Sequence, residues 1–152
     1  MESAATGPQA PARLRTTPSW LLTQTAAHAS RLVAEGLGAL DARGYHYRLL
    51  AALDEVGPAS QAELGRRCGI DRSDVVAVLN ELAAKDLVRR SPDPADRRRN
   101  VVTLTDAGGR ELRRMGETLD RVQDALLAPL STAERDQLTR LLTRLLDHHT
   151  GR

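Results

Sequence analysis

Residues 89–105, RRSPDPADRRRNVVTLT, admit few backbone solutions and constrain the rest of the chain. Val88, Val101, Val102 and Leu104 suit strands, whereas Pro92, Asp93 and Pro94 suit a turn, because proline gives no N–H to a ladder and fixes its own φ. The segment reads as a β-hairpin, with strands over residues 87–91 and 100–104 and a tip carrying Asp96, Arg97, Arg98 and Arg99. Three adjacent guanidinium groups on a tight turn repel one another unless a polyanion neutralises them, so nucleic-acid contact is expected there. Asp96, two residues from Arg98, is expected to steady that side chain.

Upstream, residues 1–16 are rich in Ala, Pro, Ser and Thr without periodicity and read as a flexible tail. Residues 17–148 then suit a single domain. A helix over 17–40 opens with Thr17 and Pro18 and repeats Leu22, Ala26, Ala29, Val33, Leu37 and Leu40 at spacings of three and four, one buried stripe. After Gly44 a second helix carries Leu49, Leu50, Leu53 and Val56, and Gly57-Pro58 closes it. Ser60 and Glu63 form a capping-box signature for a short helix ending near Cys68 and Gly69. Asp71 opens the next, with Val75, Val78, Leu79 and Leu82 inward, and the tight Gly69-Ile70 turn gives helix-turn-helix spacing.

Beyond the hairpin, Thr105 can cap a long helix bearing Leu112, Met115, Leu119, Val122 and Leu126 before Pro129. Ser131 and Glu134 then cap a last helix with Leu138, Leu141, Leu142, Leu145 and Leu146. The expected fold is mainly α with a small β-hairpin: a winged helix-turn-helix over about 45–104, flanked by dimerisation helices over about 17–40 and 105–148. The flanking stripes have no element left within one chain to cover them, which makes a homodimer the economical reading.

The net charge is only +2. Between residues 66 and 99, however, nine basic side chains face six acidic ones, so the argument for a polyanion is local. The lone cysteine, Cys68, leaves no intramolecular disulfide or multi-cysteine metal site, and it reads as a small buried side chain rather than an oxidant sensor. No apolar run approaches the ~20 residues of a membrane span, and no signal-peptide core is evident; a cytoplasmic protein without a membrane is expected. No nucleophile–base–acid set or glycine-rich phosphate loop is present, so neither an enzyme nor a cofactor or metal requirement is expected.

In a winged helix the second helix of the pair enters a major groove and the hairpin reaches the neighbouring backbone or minor groove. Arg72, Ser73, Val76, Ala77 and Asn80 lie opposite that helix's apolar face and are expected near base edges. Arg72 suits guanine, Asn80 adenine, and Val76 or Ala77 a thymine methyl. Ser60, Gln61 and Arg66 are better placed for phosphates.

At this point the sequence resembles the MarR (multiple antibiotic resistance regulator) family over about residues 20–146. DPADRRRNVVTLTDAGGREL is similar to the family's wing and following helix start. GPASQAELGRRCGIDRSDVVAVLNELAAKDLVRR is similar to its helix-turn-helix, and YHYRLLAAL to the helix before it. The resemblance implies a homodimer on a pseudo-palindromic double-stranded DNA operator, usually as a repressor. It also implies release by a small anionic or phenolic effector where the dimerisation helices meet the winged-helix lobe. Arg15, Trp20, Gln24, His28, Arg31, Tyr45 and His46 are the candidates to hold such an aromatic or organic acid: an aromatic plate, imidazoles and guanidinium groups near apolar surface. The alternatives are a winged-helix regulator that senses oxidants through Cys68, and a winged-helix module that binds protein instead of DNA and would not need the three arginines.

Overall fold

The computed structural model describes residues 10–152. The elements follow in the order α1 (Ala12–Arg15), α2 (Pro18–Gly38), α3 (Gly44–Val56), β1 (Ala59–Ser60), α4 (Gln61–Cys68) and α5 (Arg72–Ala84), then β2 (Val88–Pro92), β3 (Asn100–Leu104), α6 (Asp106–Leu126) and α7 (Thr132–Thr150). Within the stretch expected as a flexible tail up to residue 16, Ala12–Arg15 form the short helix α1. The Thr17 hydroxyl donates to the Arg13 carbonyl at 2.6 Å and Leu14 N–H to Pro11 at 3.0 Å, closing the turn of α1. Residues 1–9 of the expected tail lie outside the described residues.

The core sits inside the winged-helix lobe. Leu49, Leu50 and Leu53 of α3, Leu64 of α4, and Val75, Val78, Leu79 and Leu82 of α5 are buried together with Val88, Val102 and Met115. Each such side chain contributes roughly 1.5–3 kcal/mol of transfer free energy. The α4–α5 turn follows from Gly69, which takes the left-handed conformation at φ 63° and lets Ile70 N–H reach back to the Gly65 carbonyl at 3.0 Å.

Three strands form one antiparallel sheet in the order β1-β3-β2. In the wing, Val88 pairs with Leu104 and Pro92 with Asn100, which closes the expected hairpin. The unexpected strand is β1, whose Ala59 and Ser60 pair with Val102 and Val101. At the wing's base Thr105 accepts from Gly108 N–H at 3.0 Å and donates to the Asp86 carbonyl at 2.6 Å, so the hairpin is clipped to the start of α6.

The outer helices behave differently from the lobe. The second half of α2 rests on α6, with Val33, Leu37 and, just beyond the helix, Leu40 against the core, but Leu22 in its first half is 44% exposed. In α7, capped by the reciprocal Ser131–Glu134 bonds, no residue is buried. Leu141, Leu142, Leu145 and Leu146 are 40–63% exposed there. No helix among the described residues is long and apolar enough to cross a membrane.

Candidate nucleic-acid interface

Because β1 pairs with β3, the amino end of α4 is held beside the wing strand. An open groove of about 720 Å3 results, and Ser60, Gln61, Arg66, Arg72, Arg98 and Arg99 all line it. Six of the twelve residues expected at DNA thus converge from both ends of α4, the start of α5 and the wing. Ser60 is partly committed, since its hydroxyl accepts Glu63 N–H at 3.2 Å. Ser73, Val76, Ala77 and Asn80 form the exposed face of α5, opposite buried Val75, Val78, Leu79 and Leu82.

The tip is a closed loop. Asp93 N–H bonds to the Arg99 carbonyl at 2.8 Å, while the Asp93 carboxylate accepts from Ala95 N–H at 2.9 Å. Asp96 repeats the device, accepting from Arg98 N–H at 3.0 Å. Its other oxygen lies 3.7 Å from Arg99 Nε. The expected Asp96–Arg98 side-chain pairing is therefore corrected: at a separation of two residues the carboxylate reaches the Arg98 main chain, and Arg99 is the guanidinium it faces. Among the described residues, Arg66, Arg72, Arg97 and Arg98 have no acidic partner within 4 Å, whereas Arg67 pairs with Glu63 at 3.2 Å. Asp93 and Asn100 had not been singled out in the sequence. Asp93 was legible only as a turn former, and Asn100 as the first residue of a strand.

The seven effector candidates do not come together within one chain. Trp20, Gln24, His28 and Arg31 share one face of α2, away from α6; Trp20 is half-buried, the others are exposed, and Arg31 pairs with Glu35 at 3.2 Å. Arg15 is exposed on α1. Tyr45 and His46 stand at the other end of α2, where Ala42 N–H bonds to the Leu37 carbonyl at 2.9 Å. At 1.5 Å per residue, Trp20 and Leu37 are separated by about 25 Å along the helix. His46 is buried with both ring nitrogens engaged, accepting Arg43 N–H at 2.9 Å and meeting Glu81 Oε2 at 2.6 Å. Tyr45 carries Arg48 over its ring at 5.5 Å.

Cys68 is half-buried against the core, its Sγ 3.5 Å from the Arg48 carbonyl. Burial pushes its thiol above the ordinary value and so disfavours the thiolate, with the Arg48 charge acting in the opposite direction.

The MarR family model matches residues 40–99, from the end of α2 to the wing tip. The transcriptional regulator PcaV of Streptomyces coelicolor, solved in complex with its natural ligand, is 30% identical with a TM-score of 0.74, and the match covers 91% of this chain and 98% of that one. This chain belongs to the MarR family. The MarR-family chain is also 35% identical over 98 residues to the HTH-type transcriptional repressor NicR of Pseudomonas putida, 64% of this chain. It spans 62% of that relative's length. BpsR of Bordetella bronchiseptica, whose DNA binding is regulated by 6-hydroxynicotinic acid, shares 25% identity and a TM-score of 0.77 over 91% of this chain and 99% of its own.

Proposed function

We propose that this protein is a homodimeric repressor that reads a pseudo-palindromic operator with α5 and the wing and is released by a small anionic or phenolic effector. The convergence of Arg66, Arg72, Arg98 and Arg99 on one groove carries the reading, since most of those charges lack an acidic partner and phosphate is the polyanion that fits. In this scheme Ser60, Gln61 and Arg66 hold phosphates, while Arg72, Ser73, Val76, Ala77 and Asn80 meet base edges. Arg97, Arg98 and Arg99 follow the adjacent backbone or minor groove, and Asp96 shapes the loop that presents them.

Homodimerisation through α2 and α7 covers the leucines left exposed and spaces two recognition helices about one helical turn apart. It also gives the effector residues a way to meet. Arg15, Trp20, Gln24, His28 and Arg31 of one protomer can then face Tyr45 of the partner subunit, while His46 supports that wall from behind. NicR's designation as a repressor and PcaV's complex with a natural ligand support a ligand-responsive repressor, and the regulation of BpsR's DNA binding by 6-hydroxynicotinic acid supports an aromatic acid as the effector. Such a regulator works on cytoplasmic DNA.

Selection of bound duplexes from a random pool tests the reading. The expected result is an enriched motif of two inverted half-sites about one helical turn apart. A pool that never enriches would overturn it. Titrating 6-hydroxynicotinic acid and simple hydroxybenzoates while following Trp20 emission tests the effector location; silence across the panel would reject it.

A further inference from the structure

The recognition helix has three sides. One faces the core, one presents Arg72, Val76 and Asn80, and the third, carrying Glu81 and Lys85, faces the link between α2 and α3. On this third side a single carboxylate oxygen, Glu81 Oε2, meets both Arg43 Nη2 and His46 Nε2 at 2.6 Å. His46 Nδ1 accepts Arg43 N–H, so its proton sits on Nε2 and is donated to Glu81. The bridge thus ties α5 to the first turn of α3 by a buried ring held at both ends.

Four residues on, just past the end of α5, Lys85 Nζ reaches both the carbonyl and the carboxylate of Asp41, at 3.1 and 3.2 Å. Asp41 is one of two non-glycine residues among those described with positive φ, 54°, and that conformation turns its carbonyl out of the end of α2. Behind these contacts lies a cavity of about 270 Å3 between the end of α2, α5 and α6, with Leu40, Leu82 and Met115 in its walls. Glu111 and Arg114 of α6 line it too, paired with each other at 3.4 Å. Beside this open pocket, the Glu81 and Lys85 contacts tie the flank of the helix to the α2–α3 link.

We propose that Glu81 is a positioning residue for DNA reading: it locks the non-reading flank of α5 to the α2–α3 link, so that the end of the dimerisation helix sets the angle of the recognition helix. The proposal rests on the DNA-reading role assigned to α5 above. It separates two kinds of binding. Contacts to phosphate need only the arginines, whereas contacts to base edges need the helix held at one angle.

The test uses full-length protein, the duplex enriched from a random pool, and a scrambled duplex of equal length. Glu81→Ala is expected to weaken the enriched duplex tenfold or more, leave the scrambled duplex within twofold, and increase amide exchange at residues 80–87 without DNA. Glu81→Gln, whose amide oxygen still accepts from Arg43 and His46, is expected to recover most of the loss. Equal weakening of both duplexes, or unchanged binding together with unchanged exchange, would overturn the proposal. A wild-type protein that already binds both duplexes equally would defeat the reading of α5 itself, a result distinct from either.

Discussion

Gly108 and Gly109 are neighbours in the first turn of α6, and the structure assigns them opposite substitution effects. A Cβ on Gly108 would stand 2.0 Å from the Leu87 carbonyl oxygen, 3.0 Å from its carbon and 2.7 Å from Leu104 Cδ1. Ordinary contact begins near 3.4 Å, so the base of β2 must retreat by more than an ångström. That carbonyl also accepts Thr105 N–H at 3.2 Å, so it cannot move without loosening the clip that holds the wing. Overpacking of this kind costs about 1–3 kcal/mol or more, partly offset by the ~1 kcal/mol that alanine gains over glycine in a helix. On Gly109 the nearest atom is the far end of Arg113 at 3.9 Å, leaving only the gain of about 0.5–1 kcal/mol. For a chain of this size 1 kcal/mol moves Tm by roughly 2–4 °C. Thermal unfolding at one fixed protein concentration should therefore place Gly108→Ala several degrees below wild type and Gly109→Ala a few degrees above it. The displaced hairpin should also weaken duplex binding by Gly108→Ala. A Gly108→Ala protein as stable as wild type would refute the close approach of α6 to the wing.

Three further outcomes follow. The double substitution Leu142→Glu, Leu145→Glu should leave the folded chain monomeric by sedimentation at micromolar concentration, because α7 contributes nothing buried to its own chain; an unchanged dimer would place the interface elsewhere. Glu81 is held below the ordinary carboxylate range by hydrogen bonds from His46 and then Arg43. A lowered folded value contributes stability above the unfolded value, roughly 4.3, that is lost as pH falls through the folded one, so Glu81→Gln should flatten the acid limb of the stability curve below about pH 4 and leave its shape at neutral pH unaltered. Cys68→Ser should keep duplex binding within about twofold with or without peroxide, given a half-buried thiol held in its neutral form; peroxide release abolished by this change would make Cys68 a sensor.

The helix-turn-helix and the wing were legible because each repeats a local rule several times. Apolar spacing marked the inward faces of α3 and α5, and Ser60, Thr105 and Ser131 marked helix starts that the structure confirms by side-chain bonds to Glu63, Gly108 and Glu134. Strand β1 was not legible, since two residues carry no alternation, and its pairing with Val101 and Val102 is decided by tertiary contact. Asp96 had three arginines within reach, and only the closed backbone of the tip decides which group each oxygen meets. For the effector candidates, periodicity gave the face of α2 but not the axial distance from Trp20 to the start of α3. Glu81 had the spacing of an ordinary solvated helix position. Its partners lie 35 and 38 residues away, a separation that no local pattern reports.

The salt dependence of duplex binding tests the central claim that the wing arginines meet DNA phosphate. On the enriched duplex, Arg98→Ala should weaken binding by about 1–3 kcal/mol and reduce the slope of log affinity against log salt by about one, as loss of one phosphate contact requires. An Arg98→Ala protein with the affinity and slope of wild type would contradict the account.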